Sequence, residues 1–321
     1  MMEDDNQFSS NDNALITRLP IVRGRYSENV DMSSFTWFRV GGMAEVIFRP
    51  ADLEDLSFFL ANKKEKFPVT VIGATSNLLI RDGGIPGVVI RLGKPFSNIV
   101  PLQKFLRVGS AALNSQVSKA ALMAERTGLE FLSGIPGTIG GGLRMNAGSY
   151  GSEFKDILIE AEIMDPCGNV HVLSVDELGL KYRQCSVEND WIFLSALFKA
   201  PFADPEEIKS KIENIRLQRI DSQPIKEKTG GSTFSNPQGH KAWQLIEAAG
   251  CRGKRLGAAM MSKKHCNFLI NTGNATAREL EELGDLVRCR VFDNSGVKLD
   301  WEIKRIGLTK QFTQPYVGML K

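Results

Sequence analysis

Two glycine-rich stretches hold the residues whose types and spacing point to chemistry. In "GATSNLLIRDGG" (Gly73 to Gly84), small residues follow a short apolar run. The backbone N–H groups of Ala74, Thr75, Ser76 and Asn77 can then turn together toward an anion, a nest suited to a diphosphate. Ser76 and Asn77 add side-chain donors, although an ordinary strand-to-strand turn would use the same residue types. The second stretch, "LSGIPGTIGGGLRMNAGSYG" (Leu132 to Gly151), contains seven glycines and a single charged residue. Ile135-Pro136 fixes an extended approach, while Gly137, Gly140, Gly141 and Gly142 allow positive φ and close contact. A flat ring lying on bare main chain needs that geometry, and so does a crowded crossing of two chains. Two such loops in one half of the chain, on either side of a helix, favour a large cofactor carrying a diphosphate.

The common nucleotide fingerprints are absent. Neither stretch has the Gly-x-Gly-x-x-Gly spacing of a dinucleotide fold. "GVVIRLGKP" is one residue too long for a phosphate loop and places Pro95 where Ser or Thr must hold magnesium.

These loops must be positioned by regular elements. "VTVIG" (Val69 to Gly73) and "GVVIRL" (Gly87 to Leu92) read as buried strands, with Leu53, Leu56 and Leu60 at helical spacing before them. A helix from about Leu113 to Thr127 is expected to end at Gly128. "ILIEAEIMD" and "NVHVLS" read as a hairpin, and Trp191 to Ala200 as a further strand. At Asp204 a helix opens, with Pro205 in its first turn, Glu207 completing a capping box, and Ile208, Ile212 and Ile215 on one apolar face. Then come a short helix "KAWQLIEAAG", a strand "NFLIN", and a helix capped by Thr276 and Glu279 that turns Leu280, Leu283, Val287 and Val291 inward. "VKLDWEIKRIG" closes as a strand. The class is α+β: a strand-rich half bearing the glycine loops, and a smaller α/β unit after about residue 204.

Composition narrows the function classes. Of the 321 residues, 42% are hydrophobic, enough for more than one core. Forty basic and 37 acidic residues nearly balance at +3, which gives no broad field for nucleic acid or membrane. No apolar run reaches the length of a membrane span. The acidic start "MMEDDNQFSSNDN" is no signal peptide and reads as a frayed tail. Five scattered cysteines without a Cys-x-x-Cys pair suit free thiols in a reducing cytoplasm, and three scattered histidines argue against a metal.

Between Thr36 and Gly307 the sequence presents, in order, "TWFRVGG", "GATSNLLIRDGG", "SGIPGTIGGGLRMNAG", "YRQCS", "GGSTFSNPQG" and "WEIKRIG". This ordered set resembles the UDP-N-acetylenolpyruvoylglucosamine reductase family, flavoenzymes of bacterial peptidoglycan synthesis. The short distance from Tyr182 to the Trp191 strand resembles the shorter, type II branch. The resemblance implies an FAD-binding fold of two α+β subdomains (vanillyl-alcohol-oxidase/PCMH-like) plus a smaller α/β substrate-binding domain. It implies a tail at 1–20, FAD-binding subdomains at 21–95 and 96–203, a substrate domain at 204–300, and a C-terminal strand and tail at 301–321 returning to the active site. Non-covalent FAD would lie against Ile72, Gly73, Ala74, Thr75, Ser76, Asn77 and Leu78, against Gly134, Ile135, Pro136, Gly137, Gly140 and Gly141, and near Asn146, Ala147 and Gly148.

The resemblance also implies a reaction: NADPH passes a hydride to FAD, which passes it to the vinyl carbon of the enolpyruvyl ether of UDP-N-acetylglucosamine. Charge then collects as an enolate and a carbon must be protonated. Arg183 matches the family's arginine, Glu302 its C-terminal glutamate and Ser232 its proton donor. Read without the family, Ser232 is a turn residue after two glycines and Glu302 a strand residue beside Lys304. Tyr182, Asn236 and His265 match substrate positions. Arg216, Arg219, Lys226 and Lys228 form a basic stretch that faces either the UDP diphosphate or solvent. Ser235 and Ser222 stand where relatives carry cations. The expected protein is a cytoplasmic monomer without nucleic-acid or membrane partners. Two rivals remain: an oxidase with tethered FAD, for which Tyr150 is the nearby candidate, and a nucleotide-binding module without chemistry.

Overall fold

The computed structural model describes residues 14–63 and 66–310. Its first unit contains β1 (Arg25–Asp31), β2 (Met43–Arg49), α1 (Leu53–Asn62), β3 (Val69–Ile72), β4 (Leu78–Ile80) and β5 (Ile85–Arg91). The sheet order is β1-β2-β5-β3, antiparallel between β1 and β2 and parallel elsewhere. Val88, Val89 and Ile90 of the inner strand β5 are all fully buried, which is why that run is continuously apolar. Helix α1 is capped by Asp52, whose carboxylate accepts from Asp55 N–H. It buries Leu56, Phe59 and Leu60, whereas Leu53 is exposed. Phe59 takes the inward place expected of Leu53 by packing on Phe48, with ring centroids 4.6 Å apart.

The expected frayed tail is shorter than twenty residues. Leu15–Arg18 form a 3-10 turn, Leu15 and Leu19 are buried in the first core, and Tyr26 Oη donates to Pro20 O at 2.9 Å. Residues 1–13 lie outside the described residues, as do 311–321.

The second unit contains β6 (Ile99–Leu102), β7 (Phe105–Gly109), α2 (Asn114–Met123), α3 (Ile139–Arg144), β8 (Gly148–Ser149), β9 (Ser152–Glu153), α4 (Phe154–Ile157), β10 (Leu158–Met164), β11 (Val170–Ser174) and β12 (Ile192–Lys199). An antiparallel sheet of order β11-β10-β12-β7-β6 forms its base. Helix α2 stops before the expected Gly128. Glu125 takes the left-handed conformation (φ 58°), and Arg126 N–H turns back to Ala121 O at 2.8 Å.

The last unit contains α5 (Pro205–Ser222), α6 (Ala242–Ala248), β13 (Arg255–Leu256), β14 (Ala259–Met261), β15 (Leu269–Asn271), α7 (Ala277–Ser295) and β16 (Lys304–Ile306). Helix α5 corrects two expectations. Asp204 caps Glu206 N–H at 3.0 Å without a reciprocal Glu207 box, and only Ile208 is buried. Moreover α5 lies on α2 and on the 3-10 turn Glu130–Gly134, so it sits with the second unit. The third core starts later, gathering Phe234, Ala242, Ile246 and the α7 residues Leu280, Leu283, Val287 and Val291. The α7 box is formed as read: Thr276 Oγ1 accepts from Glu279 N–H at 3.1 Å, and Glu279 accepts from Thr276 N–H at 3.0 Å. The closing strand is shorter than "VKLDWEIKRIG". Only Lys304–Ile306 form a ladder, parallel to β4 of the first unit. Asp82, just past β4, accepts from Ala277 and Arg278 N–H at 2.9 and 3.0 Å, joining the first unit to the α7 N-terminus.

Candidate active site

The two glycine stretches meet. A Cβ on Gly73 would lie 2.5 Å from Thr138 Oγ1, so the bare residue is where the second stretch crosses the first. Ser76 Oγ donates to Pro136 O at 3.0 Å, opposite Gly137 with its φ of 129°. Thr75 holds a left-handed φ of 56°, which a β-branched residue seldom adopts, and its hydroxyl is anchored to Phe35 O at 2.8 Å. Among the described residues, the N–H groups of Ala74, Thr75, Ser76 and Asn77 donate to no protein acceptor. A run of such amides around a left-handed residue is a concave seat for an anion.

The triple glycine departs from expectation. Gly140, Gly141 and Gly142 lie within helix α3, capped by Thr138, and only Gly137 of the four has positive φ. Their bareness has separate causes. A Cβ on Gly142 would sit 2.3 Å from Phe154 Cζ, and one on Gly140 would sit 3.1 Å from Ser110 Cβ, so both serve packing. A Cβ on Gly141 meets only Thr138 Oγ1, at 3.6 Å, and opens on a cavity.

That cavity has a volume of about 960 Å³, within the size range of enclosed ligand sites. One wall is residues 72–78 together with Gly134, Ile135, Pro136, Gly137, Gly140, Gly141, Ala147 and Gly148; Arg183, Ser232 and Glu302 line it as well. The amide row and the open face of Gly141 suit a diphosphate and a flat ring, so these residues fit FAD. Asn146 is the exception, being fully buried and off the wall. Its side chain donates to Lys181 O at 3.1 Å and accepts from Lys155 N–H at 2.9 Å, which supports the turn carrying Arg183. Tyr150 is also off the wall; its ring covers Gly134, where a Cβ would lie 2.5 Å from Tyr150 Cε2. A tether at Tyr150 has no geometric support.

Arg183 Nε donates to Glu302 Oε1 at 2.8 Å and its Nη2 to Gly148 O at 3.2 Å. Arg183 is itself left-handed, with φ 55°. Glu302 is held from both sides: its N–H donates to Thr233 O at 2.9 Å and its C=O accepts from Asn77 Nδ2 at 3.1 Å. Lys304 N–H then donates to Asn77 O at 3.0 Å. Burial pushes the Glu302 carboxyl above the usual range, with Arg183 and then Lys304 opposing. Ser232 follows Gly231 (φ 83°) and bridges to Phe268. Segments from all three units thus converge on one volume.

The three expected substrate residues, Tyr182, Asn236 and His265, sit off the cavity wall. Tyr182 Oη accepts from Asn236 N–H at 3.3 Å, linking the Arg183 turn to the last unit, and Asn236 Oδ1 accepts from Ala242 N–H at 2.9 Å. His265 packs edge-on against Phe268 at 4.9 Å, and burial lowers its pKa. The basic stretch divides. Arg216 pairs with Glu213 at 2.6 Å, Arg219 lines the cavity, and Lys226 and Lys228 face a separate groove. Ser222 and Ser235 hydroxyls donate to Gln218 O and Asp300 O. Cationic residues on the wall were missed, Arg144 and Lys304 among them. Arg144 donates to the carbonyls of Val187, Glu188 and Trp191 at 2.7, 2.9 and 2.5 Å, holding the loop after Arg183. Lys304 faces Glu302, and strand alternation from Glu302 was the available signal.

A family model described as "UDP-N-acetylenolpyruvoylglucosamine reductase, C-terminal domain" matches residues 223–306, and one described as "FAD binding domain" matches residues 44–174. The chain is 54% identical over 298 residues to the UDP-N-acetylenolpyruvoylglucosamine reductase of Parvibaculum lavamentivorans, covering 93% of this chain and 96% of that one. The same-named protein of Paramagnetospirillum magneticum is 53% identical over 292 residues, covering 91% and 95%. The crystal structure of UDP-N-acetylenolpyruvylglucosamine reductase from Thermus caldophilus superposes with a TM-score of 0.76 at 33% identity, covering 89% of this chain and 99% of that one.

Proposed function

Because the chain belongs to the UDP-N-acetylenolpyruvoylglucosamine reductase family, we propose that it reduces the enolpyruvyl ether of UDP-N-acetylglucosamine to UDP-N-acetylmuramate, with non-covalent FAD as cofactor and NADPH as co-substrate. The fold is the family's: two α+β FAD-binding units of the vanillyl-alcohol-oxidase/PCMH type and a smaller substrate unit. We assign residues 21–95 and 96–203 to FAD, the unit after α5 to the sugar nucleotide, and the segment from residue 301 to closing the site.

The amides of Ala74 to Asn77 would hold the FAD diphosphate, and Gly137, Gly141, Ala147 and Gly148 would border its ring. When bound, FAD supplies hydride transfer from NADPH to the vinyl carbon of the substrate. The chain's own residues answer the charge and the proton. Arg183 brings a permanent cation to the substrate carboxylate, whose charge grows as the adjoining carbon becomes an enolate. Glu302 in its protonated form donates a hydrogen bond to the same oxygens, and its burial favours that form. Ser232 Oγ gives its proton to the enolate carbon. The observation that carries this reading is the Arg183–Glu302 pair and Ser232 on the same cavity as the amide row.

The same reading makes the protein a cytoplasmic monomer. Five free thiols suit a reducing compartment. Among the described residues no helix is long and apolar enough to cross a membrane. The test is spectroscopic. The purified protein is yellow, releases its flavin on denaturation, bleaches anaerobically with NADPH and recolours on adding the enolpyruvyl substrate. A colourless protein, or a bleached one that the substrate leaves bleached, contradicts it.

A further inference from the structure

Trp37, Arg91 and Glu227 line both the main cavity and a second groove of about 420 Å³. Four cations border this groove: Arg39, Arg91, Lys226 and Lys228. Among the described residues none of the four is ion-paired, and the carboxylate on that wall, Glu227, bridges to none of them. Elsewhere arginines such as Arg81, with Glu281, and Arg107, with Glu160 and Glu162, have found acids.

Three of the four are also held in place. Arg39 is left-handed (φ 57°) and donates to Ser34 O. The Arg91 guanidinium lies over the Phe35 ring, 5.1 Å from its centroid. Lys228 Nζ reaches Gly273 O at 3.5 Å. Four like charges facing a single carboxylate that bridges to none of them repel one another, and an entering anion relieves that repulsion.

Resting on the proposed reductase reading, we infer that this groove seats a phosphate of a nucleotide co-substrate. The FAD diphosphate has its own seat on the amides of residues 74–77, and the Thr75–Phe35 hydrogen bond stands between that seat and the groove. Trp37, 41% exposed where the two volumes join, offers a flat face to a base. Arginine forks and lysines are the groups that bind phosphate. The phosphate is either the 2′-phosphate of NADPH or the diphosphate of the UDP-sugar.

The test uses the holoenzyme carrying Arg39→Gln, Lys226→Gln and Lys228→Gln together. Removing three exposed cations is expected to weaken binding of the phosphate about tenfold. If kcat/KM for NADPH falls by that factor while kcat/KM for NADH holds within about twofold, the 2′-phosphate is the occupant. If instead KM for the UDP-sugar rises by that factor and both coenzymes are unaffected, the UDP diphosphate is. Glu227→Gln should act in the opposite direction, which guards against a merely damaged fold. Calorimetric titration of the holoprotein with adenosine 2′,5′-bisphosphate, 5′-AMP and UDP reads the groove without turnover, so its failure is distinguishable from failure of the reductase reading. Unchanged parameters for NADPH and UDP-sugar, or loss of bound FAD in place of either effect, overturn the proposal.

Discussion

Arg183 and Glu302 are 119 residues apart in sequence and meet at 2.8 Å, with side chains 23% and 15% exposed. A pair this enclosed is weak evidence for stability, because both ions lose water. Its merit is chemical: the cation stays charged while the carboxyl is drawn toward its neutral form.

Glu302→Gln preserves shape and a hydrogen-bond donor but cannot share a proton. It should lower the rate at which the enolpyruvyl substrate reoxidises the enzyme by about 10²-fold, within the range for a proton-sharing group, while bleaching by NADPH stays within about twofold. Arg183→Lys, which loses the guanidinium fork, should act on the same step. Equal loss in both half-reactions would place the pair outside the chemistry.

The Glu302 carboxyl also has a consequence for stability. Its pKa in the fold is raised above 4.5, so between 4.5 and the raised value the native chain holds a proton that the unfolded chain has lost. Stability therefore falls as pH rises through that window. Glu302→Gln should abolish this fall, and Arg183→Met, which removes the opposing cation, should extend it to higher pH. Melting temperatures taken from pH 4 to 8 check this; parallel curves for wild type and Glu302→Gln would contradict it.

Gly141 and Gly142 are neighbours with opposite predicted responses to alanine. At Gly142 the new methyl meets Phe154 Cζ at 2.3 Å, and overpacking of this kind costs about 1–3 kcal/mol. At Gly141 it meets nothing closer than 3.6 Å in the protein, and alanine favours the helix by up to about 1 kcal/mol. Gly142→Ala should melt earlier. Gly141→Ala should melt no earlier as apoprotein and yet bind FAD at least about tenfold more weakly, a loss of about 1.4 kcal/mol. Unchanged FAD affinity would remove Gly141 from the cofactor seat.

Much of this was legible because it is local. The row Ala74 to Asn77 follows a strand as read, although β3 lies at the sheet edge with only Ile72 buried and is not the buried strand expected, and the Thr276–Glu279 box announces α7 in four residues. The helix at Ile139–Arg144 was not legible, since three consecutive glycines disfavour a helix and packing against Phe154 and Ser110 overrides that preference. Thr138, its cap, was the one local signal. The partner of α5 was hidden because its face is largely exposed and only Ile208 is buried. The bond from Asn77 to Glu302 spans 225 residues, and the Asp82 cap on α7 spans 195. No local spacing reports such closures. Leu15 and Leu19 were passed over because two apolar residues beside a polar stretch carry no period.

The claim on which the rest depends is that Ser232 delivers the proton on the cavity that also bears the cofactor seat. Anaerobic stopped-flow on Ser232→Ala, following flavin absorbance, tests it most directly. The account predicts reduction by NADPH at close to the wild-type rate, and reoxidation by the enolpyruvyl substrate slowed by about 10²–10⁴-fold. Reoxidation at the wild-type rate would contradict it.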